Sequence, residues 1–139
     1  LDLSLSDLIK DINISTHLPV YYGGPVDVDI LFFIHTLSFI PESYPISDKL
    51  FLNGDFEFLI DYINSGVSLE GKIKFFFGYS GWSGGQLEAE IAENSWIVGK
   101  LSEKELFEPH DEKVWADALL KLGEKYRDWT RFPKNPELN

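Results

Sequence analysis

The densest run of residues with chemical potential is Gly78-Tyr79-Ser80-Gly81-Trp82-Ser83-Gly84-Gly85-Gln86-Leu87-Glu88-Ala89-Glu90. It reads as the end of a strand, a glycine turn and the start of a helix. Unpaired N–H groups at a helix start, beside glycines that let a ligand approach the backbone, form anion sites in many folds. The same residues also read as a tight turn around Trp82. No Lys follows the glycines and the spacing is not G-x-G-x-x-G, so any nucleotide site would be a generic backbone nest.

A complete catalytic set does not assemble from the sequence. Ser80 lies between a strand and a helix, but the order G-x-S-G-x departs from the G-x-S-x-G nucleophile elbow, and Ser80 reads as a turn hydroxyl. His35 shares a strand face with Asp29, yet six residues of extended chain separate them by roughly 20 Å, which excludes a dyad. His35 at the end of an apolar strand reads as a hydrogen-bonded histidine first and as a catalyst second. His17, His35 and His110 lack metal-ligand spacing, and the absence of Cys removes thiolate chemistry. Neither a metal nor a cofactor is expected. Steps of about 100° per residue from Gly85 put Leu87, Ile91, Glu88 and Ala92 on one arc and Gln86, Glu90 and Glu93 outside it. Glu88 is therefore expected to be the most buried of these polar residues, as a structural cap or as a carboxyl with a raised pKa. Tyr21, Tyr22 and Trp82 stand beside glycine turns, where aromatic rings wedge loops or line a ligand pocket.

These residues need elements to hold them. Ser4 or Ser6 caps a short helix with Leu5, Leu8, Ile9 and Ile12 on one face, ending by Asn13. Residues 18–22 read as a strand stopped by Gly23-Gly24-Pro25. Residues 26–35 alternate through Val26, Val28, Ile30, Phe32 and Ile34, the pattern of a central strand, wet at its start and buried on both sides later. Residues 36–47 read as a loop and 49–52 as a short strand. Asp55 caps a helix through Asn64 with Gly66 near its end. Residues 72–78 read as a strand wet at its start and buried at its end, 86–94 as a helix and 96–98 as a further strand. Asp111 caps a last helix carrying Val114, Trp115, Ala118, Leu119 and Leu122, which Tyr126 and Trp129 extend. Residues 131–139 form a tail without periodicity.

The chain has 139 residues, 44% of them hydrophobic and 15% aromatic, enough for one domain with a single core. Twelve basic residues against 23 acidic ones give a net charge of −11, which repels phosphate backbones and anionic membrane surfaces. Direct nucleic-acid binding and membrane binding are thus not expected. The longest apolar run, 30–34, is far short of the roughly 20 residues that span a bilayer, and no secretory signal is visible, so a cytoplasmic location is the expectation. A sequence with no Met leads us to expect further residues before Leu1.

Tyr22-Gly23-Gly24-Pro25-Val26, Leu31-Phe32-Phe33-Ile34-His35, the run from Gly78 to Trp96 and the closing Asn135-Pro136-Glu137-Leu138-Asn139 resemble the bacterial AlgH (YqgE) family over nearly the whole chain. The resemblance implies a mixed α/β, α+β fold: one domain over 1–139, with a mixed, barrel-like β-sheet flanked by helices. It also implies a cytoplasmic protein carrying the inherited label of transcriptional regulator, and an N-terminal segment with additional strands that is missing here. Family members often have Ala where Ser80 stands, which argues against a nucleophile. With no role assigned, the candidate ligand-binding residues are Gly23, Gly24, His35, Tyr79, Gly81, Trp82, Gly85, Gln86 and Glu88, and no catalytic residue is named.

The leading expectation is a non-enzymatic regulatory or interaction protein with a protein or small-molecule partner, any transcriptional effect being indirect. The alternative is a small-molecule or nucleotide-binding enzyme using the turn and helix start at 81–90. Without the N-terminal strands, residues 26–35 and their neighbours are expected to leave an apolar strand edge open, which favours a homodimer.

Overall fold

The structure, a computed structural model, describes residues 3–10, 12, 18–108 and 112–123. The chain divides into two compact units, Leu1–Gly84 and Gly85–Asn139. The first holds strands β1 (Leu3–Ser4), β2 (Pro19–Tyr22), β3 (Val26–His35), β4 (Tyr44–Pro45), β5 (Phe51–Leu52) and β6 (Ile73–Tyr79), with helices α1 (Leu5–Leu8) and α2 (Phe56–Asn64). The second holds helices α3 (Gln86–Ala92), α4 (Glu103–Phe107) and α5 (Glu112–Lys121).

The six strands form one mixed sheet in the order β1-β2-β6-β3-β5-β4. Only the β2–β6 pair is parallel, with Val20 opposite Phe75 and Tyr22 opposite Phe77. Strand β3 runs antiparallel to β6, with His35 opposite Ile73 and Leu31 opposite Phe77. The order has two ends, β1 and β4, each of two residues. Such short outer strands offer little ladder to a neighbouring chain.

Period-two alternation turns Val20, Phe33 and Phe75 to one face of the sheet, where they join Leu5, Leu59 and Ile63 in the core. Helix α2 supplies Leu59 and Ile63 from positions four apart on one side. The Asp55 side chain accepts a hydrogen bond from the Phe58 N–H at 3.1 Å and starts the helix. At its first turn, the Phe56 ring lies 6.2 Å from Phe33. Helix α1 begins with a capping box, in which Ser4 N–H donates to the Asp7 carboxylate at 2.9 Å and Ser6 N–H donates to Ser4 Oγ at 3.3 Å.

The expected strands at 18–22, 26–35, 49–52 and 72–78 are all present, as are the helices starting near 55, 86 and 112. Several expectations need correction. Strand β6 is buried from Ile73 through Phe75 and exposed at Tyr79, the reverse of the expected gradient, because Ile73 and Phe75 of its first half pack into the core. Lys74 is buried with its Nζ 4.4 Å from the centre of the Tyr21 ring, and burial pushes its pKa down to about 8. Helix α1 is shorter than its apolar spacing suggested and leaves Leu8 exposed. Residues 96–98 form no strand: no strand among the described residues pairs with them, and Trp96 and Val98 are exposed. Strand β4 lies within the expected loop, and α4 follows a Ser102/Glu105 capping box that spacing alone could have revealed. Asp111 as helix cap, Tyr126, Trp129 and the 131–139 tail fall outside the described residues.

One irregularity shapes the sheet. Between the pairs Val26–Tyr79 and Leu31–Phe77, residues 27 to 30 of β3 stand opposite Gly78 alone. This bulge arches β3 outward, helped by a left-handed Asp27 at φ 48°. A β-carbon on Gly78, at φ +71°, would sit 2.9 Å from the Val26 carbonyl oxygen and closer still to that of Gly24. Gly78→Ala is expected to destabilise the protein by about 2 to 4 kcal/mol. Gly84→Ala, where a β-carbon meets nothing within 4 Å, should change stability by less than about 0.5 kcal/mol. Urea unfolding of the two variants checks both values.

Candidate functional site

The C-terminal end of β6 collects the candidate residues of the first unit other than His35. Gly23 N–H donates to the Phe77 carbonyl at 2.7 Å, which carries the β2–β6 ladder one residue past β2. Side chains at Gly23 or Gly24 would collide with the Gly78 carbonyl and with the Tyr79 backbone, respectively. The Gly23-Gly24 pair is therefore occupied by backbone of the same sheet. Close strand approach accounts for both glycines without a ligand. Tyr79 is exposed and meets Phe32 edge-on at 5.6 Å. Gly81 lies against the Tyr79 ring, where a β-carbon would be 3.4 Å from its edge, and Trp82 is partly exposed beyond it. Gly23, Gly24, Tyr79 and Gly81 thus come together.

His35 does not join them. It lies opposite Ile73, at the far end of β6 from Tyr79, which is roughly 20 Å along the strand. Its ring is fully buried, stacked on Phe51 at 5.7 Å and beside Phe33 at 5.4 Å. The Leu37 N–H donates to Nδ1 at 3.1 Å, which leaves the ring proton on Nε2. Nε2–H then donates to the Asn53 carbonyl at 2.8 Å, with Ser43 Oγ at 3.2 Å. Ser43 in turn donates to the carbonyls of Ile40 or Asn53, at 2.9 and 3.0 Å. In this tautomer Nε2 has no lone pair to take a proton from Ser43, so the Ser43–His35 contact is not an activated nucleophile. These bonds give His35 a structural role, tying β3 to Leu37 and Asn53.

Gly85, Gln86 and Glu88 belong to the second unit. Gly85 caps α3 in a left-handed conformation without a side-chain hydrogen bond. Glu88 is exposed, against expectation, whereas Glu90 is half-buried. Glu90 accepts from Trp96 Nε1 at 2.6 Å and from Gln86 Nε2 at 3.0 Å. The covered side of α3 is centred between Leu87, Glu90 and Ile91, because exposed Ala92 does not widen it toward Glu88. The expected apolar arc relied on Ala92, too small to anchor a helix face. Among the described residues, no three His, Asp or Glu side chains converge as metal ligands, and no helix is long and apolar enough to cross a membrane.

Sequence reasoning missed the arch at 27–30. Val28 and Ile30 are 53% and 47% exposed, and Tyr22 is 53% exposed, although strict alternation would bury one face. The clue was present in the paired acids Asp27 and Asp29 set among β-formers.

Burial holds the His35 pKa below the ordinary histidine value, opposed by its bond to the Asn53 carbonyl. Below pH about 6.5 the unfolded chain binds the proton more readily than the folded one. This part of the stability is therefore complete above that pH and is lost as pH falls toward the lower folded pKa. His35→Leu should remove that pH dependence and cost about 1 to 3 kcal/mol at pH about 7.5 by stranding the Leu37 N–H. Urea unfolding of both proteins at pH about 7.5 and about 5.5 measures this. An equal loss on acidification in both would contradict the assignment.

Comparison with known proteins agrees with this architecture. The AlgH-like family pattern matches residues 1–127. A UPF0301 protein of Bacteroides fragilis is 46% identical over 139 residues, covering all of this chain and 71% of its own. A UPF0301 protein of Bacteroides thetaiotaomicron is 43% identical with the same coverage. The solution structure of the AlgH protein from Pseudomonas aeruginosa superposes with a TM-score of 0.66 at 25% identity, over 97% of this chain and 74% of that one. A Corynebacterium diphtheriae protein of known crystal structure gives the same TM-score at 19% identity, over 95% of this chain and 71% of its own, and shares the fold. With its mixed sheet, its glycine-packed strand ends and these relatives, the chain belongs to the AlgH-like family.

Proposed function

We propose that this chain works as a non-enzymatic interaction protein whose partner is another polypeptide. The observation that carries this reading is the exposed apolar surface at one end of the sheet, made by Tyr22, Val28, Ile30, Tyr79 and Trp82. Large apolar side chains grouped on a surface favour association, because covering them releases ordered water. Close approach of neighbouring backbone accounts for Gly23, Gly24 and Gly78 without a ligand, so these three glycines lend no support to a nucleotide-binding enzyme. The net charge of −11 favours a protein partner over a nucleic acid. Any influence on transcription would then run through that partner, in the compartment that the sequence points to, the cytoplasm.

A photo-crosslinking residue placed at Tyr22 is expected to capture a discrete polypeptide in cells, while one at Glu57, exposed on α2, is not. A thermal-shift screen against metabolites supplies the opposing arm. A small molecule that raises the melting temperature in a concentration-dependent way, with no crosslink at Tyr22, would overturn the interaction reading in favour of a small-molecule site.

A further inference from the structure

We propose that His35 is a proton-operated latch: the neutral ring holds the 37–53 segment on the end of β3, and a proton on Nδ1 releases that segment while the β3–β6 pairing stays closed. The proposal is independent of the interaction reading and concerns a change of state within the fold.

The latch follows from the atoms that the ring meets. Leu37 N–H donates to Nδ1 at 3.1 Å, a bond that exists only while Nδ1 keeps its lone pair. Imidazolium carries a proton on both nitrogens, so Nδ1–H and the Leu37 N–H would face each other with no acceptor between them. The Nε2 side forms no additional bond in exchange, because Nε2–H already donates to the Asn53 carbonyl at 2.8 Å. The ring has no room to turn to another partner. It is fully buried, stacked on Phe51 at 5.7 Å and flanked by Phe33 at 5.4 Å. Relief therefore comes from movement of the backbone that carries Leu37. Burial acts in the same direction and holds the His35 pKa below the ordinary histidine value.

Among the described residues, no charged side chain contacts the ring to offset the added proton. Ile73 of β6 and Phe51 of β5 stand opposite His35 in the sheet, and the loop adds the Ser43 hydroxyl at 3.2 Å. The titratable side chains of the same elements are engaged elsewhere or face water. Lys74 Nζ lies over the Tyr21 ring, and Asp55 caps α2 at the Phe58 N–H. Glu42, Tyr44, Asp48 and Lys49 are exposed, and Lys72 is partly exposed.

The segment can open without the sheet because its other attachments to β3 are few. Strand β5 pairs with β3 only at Ile34 and His35. Asn53 adds two bonds to Phe33, its N–H donating to the Phe33 carbonyl at 2.8 Å and its Oδ1 accepting from Phe33 N–H at 3.0 Å. The β3–β6 ladder, by contrast, runs unbroken from Leu31 to His35 on the other side of β3. Opening the segment thus breaks fewer contacts than unfolding the sheet.

Native-state hydrogen exchange of the complete protein in dilute urea tests the latch. The Phe33, Leu37 and Asn53 amides are bonded within it, and the β3–β6 ladder amides report the sheet. At pH about 7.5 the latch amides are expected to exchange through a cheaper opening than the ladder amides, with little dependence on urea. A freed imidazole has a pKa of about 6.5, so acidification to pH about 5.5 should raise the opening constant of the latch about tenfold, after correction for intrinsic exchange. His35→Gln keeps an acceptor and a donor but does not titrate, and should show no such rise. Nitrogen NMR of the unaltered protein at pH about 7.5 should find the ring proton on Nε2. Latch amides that share the exchange free energy and urea dependence of the ladder would overturn the proposal, as would an equal rise in His35→Gln. A ring proton found on Nδ1 would also overturn it, because the Leu37 bond would then not exist.

Discussion

The antiparallel pairing of β3 with β6 is the constraint on which the first unit depends. Both are interior strands, and each carries a neighbour on its other side: β2 on β6, and β5 on β3. Phe33 and Phe75 face each other across the pair with ring centres 5.9 Å apart. Against them pack Leu59 and Ile63 of α2 and Leu5 of α1. Helix α2 is not held by propensity alone, because nine residues are too few for stability in isolation. Its apolar side is useful only where the pair supplies a face. Substitution at Phe33 or Phe75 would thus act on both helices of the first unit.

The pair also sets two opposite ends with different chemistry. At the His35 end, polar atoms are buried and satisfied. The imidazole spans Leu37 and Asn53, Ser43 bridges two carbonyls, and no buried side-chain polar atom among the described residues lacks a partner. In a medium of low polarity such a network fixes one conformation of the 36–55 segment, since each broken bond would strand a desolvated group. At the Tyr79 end the strands approach through glycine and then separate at the arch. Apolar side chains that the pleat would otherwise cover are turned outward. One end consolidates the fold, and the other presents a surface.

The chain spans 71% of the length of its Bacteroides relatives and 74% of the Pseudomonas aeruginosa AlgH chain. The AlgH-like pattern runs over residues 1–127. In this light, Gly23, Gly24 and Gly78 answer to backbone geometry, not to phosphate chemistry, since their missing side chains make room for neighbouring strands.

Local pattern alone determined the main elements. Alternation in 26–35 and 72–78, the Asp55 cap with apolar residues spaced along one helix side, and the glycine stops are properties of a few neighbouring residues, so they are legible in order along the chain. The sheet order was not legible, because β6 inserts between β2 and β3 through contacts distant in sequence. That insertion buries Lys74 and reverses the expected exposure of β6. Glu88 and Glu90 exchanged their expected places because burial of a short helix depends on which neighbour covers it, and an arc of residues contains no such information. His35 illustrates both levels. Its position at the end of an apolar strand already favoured a hydrogen-bonded histidine, but only the fold could bring Asn53, eighteen residues away, to its Nε2 and close the ring to chemistry.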